Sequence, residues 1–307
     1  MKKYWPILSY ETGKETYDTL QLFTQVVGKI KLATLPWTNH SWSITLHITT
    51  LGLTTQVMPY KDKDFEISFD LVNHLLQIVT SEGGNREFSI VGISVANFYR
   101  TIFDMLEQLG IILDIITLPS EIADPIPFEL DELHAGYDGY QANSFHTALL
   151  RVQDVFLIHR SCFKGKSSPI HFFWGGFDLS LAFFSGKGAP KHPGKIVGMP
   201  DWVLQDAYSH EVRDAGFWSG NEGFPQAAFY CYLYPEPEGY KTGKLQPKQA
   251  YYHKELGEFI LPYGDVQQAD DPEKMLLEFL DSTYAIGAEL AAWDPELVTP
   301  IQKPDRN

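Results

Sequence analysis

SPIHFFWGGFDLSLAFFSG, residues 168–186, decides how the chain is read. It places seven aromatic or imidazole side chains around the pair Gly175-Gly176, with Asp178 just beyond. Taken as a single strand, its alternation puts Phe172, Trp174, Gly176 and Asp178 on one face. His171, Phe173, Gly175 and Phe177 fall on the other, so His171 and Asp178 point apart. A glycine pair inside a strand marks a bulge or a close approach to the backbone. A one-residue bulge there brings His171 and Asp178 onto one wall, where they can act as an oriented acid/base pair or supply two metal ligands. A straight strand leaves a core element whose histidine bonds to backbone.

Outward from this stretch, the periodicity gives α+β elements. Glu15 to Ala33 has helical spacing of Leu20, Phe23, Val26, Val27 and Ile30. Ser41 to Thr49 alternates, with Trp42, Ile44, Leu46 and Ile48 on one face and Ser43, Thr45, His47 and Thr49 on the other, which predicts a half-buried strand. Phe65 to Asp70 and Leu75 to Thr80 read as a hairpin about Asn73-His74, followed by a turn at SEGGN and a strand near Phe88 to Val91. Ser94 precedes a helix, Val95 to Leu109, stopped by Gly110. Leu113 to Leu118 reads as a short strand. Residues 119–137, rich in proline and acid, read as a connecting loop. A helix from Tyr140 to His159 follows, then strands over Ala207 to Arg213, Ala228 to Tyr234 and Glu258 to Tyr263. A final helix runs from Pro272 to Trp293, ahead of a frayed tail, TPIQKPDRN.

The order helix, strands, helix therefore occurs twice. The expectation is two similar α+β halves, each an antiparallel sheet flanked by helices, facing or extending one another, with room for a degenerate tandem duplication. The expected boundaries are 1–118 and 138–307, joined by the loop 119–137.

Charge narrows the function. The chain carries 39 acidic and 24 basic side chains, a net charge of −15, which opposes binding to phosphate backbones and anionic membrane surfaces. No apolar run is long enough to span a bilayer, and MKKYWPILSYETGKE lacks a signal-type apolar core, so a cytoplasmic protein is expected. Two cysteines, Cys162 and Cys231, provide no disulfide framework and no cysteine-type zinc site. Dinucleotide, P-loop and nucleophile-elbow motifs are missing, so those readings fall away and any cofactor stays unknown.

Two readings remain. In the first, the chain is an enzyme acting on a small aromatic or anionic molecule. His171 and His210 are its acid/base candidates, and Asp178 orients or charges an imidazole. Lys166, Lys187 and His192 hold a substrate anion, while Trp174, Tyr208 and Trp218 form apolar walls. In AYSHEVRDAGFW, Tyr208 and His210 are expected to face the interior, with Glu211 and Arg213 as an ion pair opposite. His40 is expected to meet His171 if the halves pack face to face. In the second reading the chain binds a ligand without catalysis, or assembles into oligomers, and its histidines are structural. No residue spacing specifies a metal.

The segments WPILSYETGKETYDTLQLFTQVVGKIKL, GKSSPIHFFWGGFDLSLAFFSG, AYSHEVRDAGFW, AFYCYLYPEPEGY and GEFILPY together resemble bacterial proteins grouped as domain of unknown function 5996. The resemblance covers nearly the whole chain. Matching positions include Lys166, Pro169, His171, Trp174, Asp178, Gly186, Pro190, His192, Tyr208, His210, Glu211, Gly216 and Trp218. It implies a bacterial, cytoplasmic protein and brings no established activity. Lys187 stands where relatives are expected to carry arginine, which weakens a strict guanidinium role there.

Overall fold

A computed structural model describes residues 3–195 and 198–298; the tail TPIQKPDRN lies outside the described residues. The first helix, α1 (Tyr10–Thr34), starts where the Ser9 side chain accepts a hydrogen bond from the Thr12 amide, and buries Leu20, Phe23, Val26, Val27 and Ile30. Six strands follow: β1 (His47–Ile48), β2 (Gly52–Thr54), β3 (Met58–Tyr60), β4 (Lys63–Asp70), β5 (Leu75–Thr80) and β6 (Asn85–Ser89). Helix α2 (Val95–Gln108) is capped by Ser94 and ends against Gly110, whose φ of 73° is the left-handed conformation that lets the chain leave the helix. A long connection leads to α3 (Gly139–Ser161).

The second set comprises β7 (His171–Phe173), β8 (Asp178–Gly188), α4 (Asp201–Ala207), β9 (His210–Trp218), β10 (Ala228–Tyr234), β11 (Tyr251–His253) and β12 (Glu258–Pro262). Helices α5 (Tyr263–Gln267) and α6 (Pro272–Leu290) close the described chain. Asp271 caps α6 and Pro272 occupies its first turn, where a missing N–H costs nothing.

The strands form two antiparallel sheets flanked by helices. The N-terminal sheet runs β1-β2-β4-β5-β6, with β3 also paired to β4; the C-terminal sheet runs β11-β12-β10-β9-β8-β7. Their edges meet. Leu46, just before β1, exchanges both backbone hydrogen bonds with Phe172 of β7, at 2.9 and 2.8 Å. The sheets therefore extend one another, and the helix–sheet–helix order appears on both sides of this seam. One hydrophobic core runs beneath both, joining Phe23, Phe69 and Phe98 to Phe145, Phe172, Phe217 and Leu280.

The stretch 168–186 is a hairpin. His171–Phe173 and Asp178–Gly188 pair through a turn at Trp174-Gly175-Gly176-Phe177, in register His171↔Ser180 and Phe173↔Asp178. A turn, not a bulge, puts His171 and Asp178 on the same side of the sheet.

Three expected strands differ. Within Ser41 to Thr49 only the end, Leu46 to Ile48, pairs with other strands, because Asn39–Ile44 winds into a 3₁₀ turn with His40 and Ser41 at φ 60° and 61°. Bonds from the His40 amide to Asp206 and from its ring to the Ala207 carbonyl tie that turn to α4, so tertiary contacts override the alternation. Leu113 to Leu118 joins no strand among the described residues, and its Ile116 is 74% exposed. Over Ala207 to Arg213 the chain finishes α4 before β9 begins at His210.

Candidate functional site

The C-terminal sheet has two unlike faces. Leu179, Leu181 and Phe183 of β8, Ala215 and Phe217 of β9, and Phe229 and Leu233 of β10 turn toward the helices and the core. By alternation, Asp178, Ser180, Ala182 and Phe184, then Val212, Asp214, Gly216 and Trp218, then Tyr230, Tyr232 and Tyr234, and finally Glu258, turn the other way.

Strand register orders these residues in rows. Asp178 lies opposite Trp218; Ser180 opposite Gly216, which lies opposite Tyr230; and Ala182 opposite Asp214, which lies opposite Tyr232. Gly216 makes the middle row possible, since a Cβ there would fall 2.2 Å from the Tyr230 ring. The ring lies flat across that glycine, and its hydroxyl donates to Asp178 Oδ2 at 2.5 Å. The Ser180 hydroxyl meets both oxygens of Asp214 at 3.0 Å. Tyr208 and Tyr232 pair hydroxyl to hydroxyl at 2.8 Å.

A fourth carboxyl arrives from the long connection. Cβ atoms at Gly175 and Gly176 would sit 1.9 Å from Glu121 Oε1 and 2.7 Å from Asp178 Oδ1. The glycine pair thus leaves room for two acids at one turn. Helix α1 fixes this turn from beneath: Gln21 donates to the Gly175 carbonyl, while Gln25 brackets Ser120 with a bond each way.

The electrostatics are those of acids crowded by protein and by one another. Burial pushes Asp178 up to about 6, against the Tyr230 bond that pulls it down. Burial, then the Asp178 charge, lifts Asp214 to about 7 and Glu121 to about 7. Burial followed by the Asp214 and Asp178 charges lifts Glu258 to about 8. Glu121 remains exposed, and Asp178 and Glu258 are partly exposed, so solvent reaches groups that protein largely surrounds. Among the described residues no lysine or arginine forms an ion pair with any of the four. Beside Glu258 an open groove of about 370 Å³ is lined by His192, Tyr208, Tyr232, Tyr234, Glu236 and Glu258, among others.

The sequence-derived candidates scatter over this region. Asp178 and Trp218 lie in one row; Tyr208 and His192 stack at 4.7 Å beside the groove. His171 shares the face but is 1% exposed, with Nδ1 unpartnered. His210 stands at the opposite end of β9 from Trp218, which at ~3.3 Å per residue is roughly 26 Å along the strand from the Asp178 row. The structure does not bring His210 to Asp178. Lys166 lies over the rings of Trp42 and Phe184 and meets His40 at 3.2 Å. Trp42 intervenes between His40 and His171, with ring centroids 5.2 and 6.4 Å away. Trp174 faces α1 and donates to the Ile44 carbonyl, and Lys187 donates to Ala291 and Ala292 at the end of α6. Arg213 is fully buried on the core side, bonded to Leu280 and Thr283, while Glu211 pairs with Ser185.

Asp214, Glu258, Glu121, Tyr230 and Tyr232 were missed from sequence. One signal was available: AFYCYLY alternates tyrosines onto a single face. Among the described residues no group of three or more His, Cys, Asp or Glu is arranged to hold a metal, and no helix is long and apolar enough to cross a membrane.

The family model of DUF5996, a family of unknown function, matches residues 5–300, and the chain belongs to that family. No curated protein and no solved structure matches it.

Proposed function

We propose that this chain is a cytoplasmic small-molecule enzyme whose site is the carboxyl- and tyrosine-lined face of the C-terminal sheet, with an organic cation as ligand. One observation carries the reading. Asp178, Asp214, Glu258 and Glu121 converge from separate segments, none of them in an ion pair among the described residues, beside a groove walled by tyrosines. Clusters of carboxyls perturbed toward neutrality are a property of functional sites, and such groups both give and take protons at physiological pH. Tyrosine faces attract cations, and a bound cation supplies the missing charge. Tyr230 holds Asp178 and Ser180 holds Asp214 by hydrogen bonds, which fix the two carboxyls on the face. The unpaired thiols of Cys162 and Cys231 support a reducing compartment.

The sign of the pH dependence follows. A carboxyl whose folded pKa is raised stabilises the fold below its unfolded value and loses that stabilisation as pH rises through the folded one. The unliganded protein therefore weakens as pH climbs from the unfolded carboxyl range at ~4 up to the folded values of about 6 for Asp178, about 7 for Asp214 and about 8 for Glu258, above which the loss is complete. A cation favours the ionised forms and binds more tightly over that interval. Thermal melting with a panel of small organic amines at pH 6 and pH 8 tests this. We expect saturable stabilisation, larger at the higher pH and cut at least tenfold in affinity by Asp214→Asn or Glu258→Gln. A panel that shifts no melting temperature, or shifts equally in the variants, refutes it.

A further inference from the structure

The seam between the sheets carries a second set of groups, distinct from the carboxyl face. Because Leu46 pairs with Phe172, the register sets His47 opposite His171 and turns both away from the core. Leu46 and Phe172 exchange both hydrogen bonds, so the His47/His171 position is the non-hydrogen-bonded kind, where opposed side chains approach most closely. Lys31 of α1 reaches the same seam and donates to the Thr45 carbonyl at 2.5 Å, one residue before Leu46.

Each of these groups has unused capacity. Lys31 is 3% exposed, yet among the described residues no carboxylate pairs with it and two of its three N–H bonds meet no acceptor. His171 is 1% exposed and its Nδ1 has no partner. His47 is half-buried, so the seam opens to solvent on its side. Buried ammonium groups are rare without a countercharge, and an orphaned buried ring nitrogen costs about as much as a lost hydrogen bond, ~1–3 kcal/mol.

We propose that Lys31, His47 and His171 form a binding site for a small oxyanion, a carboxylate or phosphate group, at the seam between the two sheets. The anion supplies the countercharge that Lys31 lacks and the acceptor that the imidazoles lack. Proximity is visible electrostatically: after burial, the Lys31 charge helps lower His47 to about 4, and the His47 and Lys31 charges help lower His171 to about 3. A bound anion reverses that trend and raises both imidazoles. This site does not depend on the carboxyl face holding a cation.

Titration of the full chain with sodium phosphate and, separately, sodium acetate, at constant ionic strength set by sodium chloride, tests the site. Histidine side-chain nitrogen NMR and melting temperature report the outcome. The expected result is saturable movement of the His47 and His171 signals with a rise in melting temperature. Response to phosphate alone, to acetate alone or to both supports the site and assigns its ligand class. Lys31→Met keeps the apolar stem and removes the buried charge, and is expected to weaken the anion at least tenfold while leaving the amine response unchanged. Should that variant fail to fold, His47→Gln at the half-buried position carries the same expectation. Absence of any saturable change up to tens of millimolar in the wild type, or an unaltered response in a folded variant, overturns the proposal.

Discussion

Gly175 and Gly176 show what a single missing Cβ can arrange. Their turn lets the Glu121 carboxyl rest against one glycine and the Asp178 carboxyl against the other. Alanine at Gly175 would drive its methyl into Glu121 Oε1, so the chain must move one or the other. We expect Gly175→Ala to cost no more than ~1 kcal/mol, because the atoms it meets are the flexible end of an exposed side chain. Combining it with Glu121→Ala should recover at least half of that loss in a urea-denaturation double-mutant cycle. If the two losses simply add, Glu121 is not what the glycine accommodates. The sequence marks the glycine pair as unusual, because nothing in a buried strand calls for it. It cannot name Glu121, which arrives through a loop with no periodicity to read. The same holds for His47 and His171, whose opposition depends on one long-range backbone pairing.

Elements with a period and a cap were legible, and those shaped by remote contacts were not. β10 and α2 fall almost where their alternation and Ser94 place them, since local pattern and tertiary demand agree there. In β9 the alternation is right and the inside is reversed. A charged residue was expected to face water, but Arg213 lies under the sheet, where it donates to the Leu280 carbonyl and Thr283 and lies 5.8 Å from the centre of the Phe183 ring. Its other terminal nitrogen meets His159 Nε2 at 3.3 Å. Arginine only donates, so Nε2 accepts, and the His159 proton sits on Nδ1, toward Asp281 at 2.9 Å. Burial holds that imidazole down at about 4, so it stays neutral. Arg213→Ala leaves a void and unsatisfied acceptors, and should cost ~3 kcal/mol or more. Arg213→Met fills the space without charge and should be the more stable of the two by at least ~2 kcal/mol in chemical denaturation. Equal losses would mean that the charge itself holds β9 to α6.

The whole molecule behaves as one body on this packing, since a single core passes beneath both sheets and the seam joins them edge to edge. We expect one cooperative thermal transition by calorimetry. Fragments 1–137 and 138–307 should each lack a sharp transition alone, and regain it on mixing. Two independent transitions in the intact chain would refute that. The overall class was readable because both sheets are built from short alternating strands between capped helices. The way they join was not, because Leu46 and Phe172 look like any other core residues. Their pairing also guards against clumping. An uncovered sheet edge is a template on which a neighbouring chain can add a strand. Here the apolar edges at β1 and β7 shield each other, and the sheets' outer ends fall to β6, which carries Arg86 and Glu87, and to β11, only three residues long. A chain that opens at the seam would bare its two stickiest rims at once, so any variant that loosens Leu46 from Phe172 should aggregate before it unfolds.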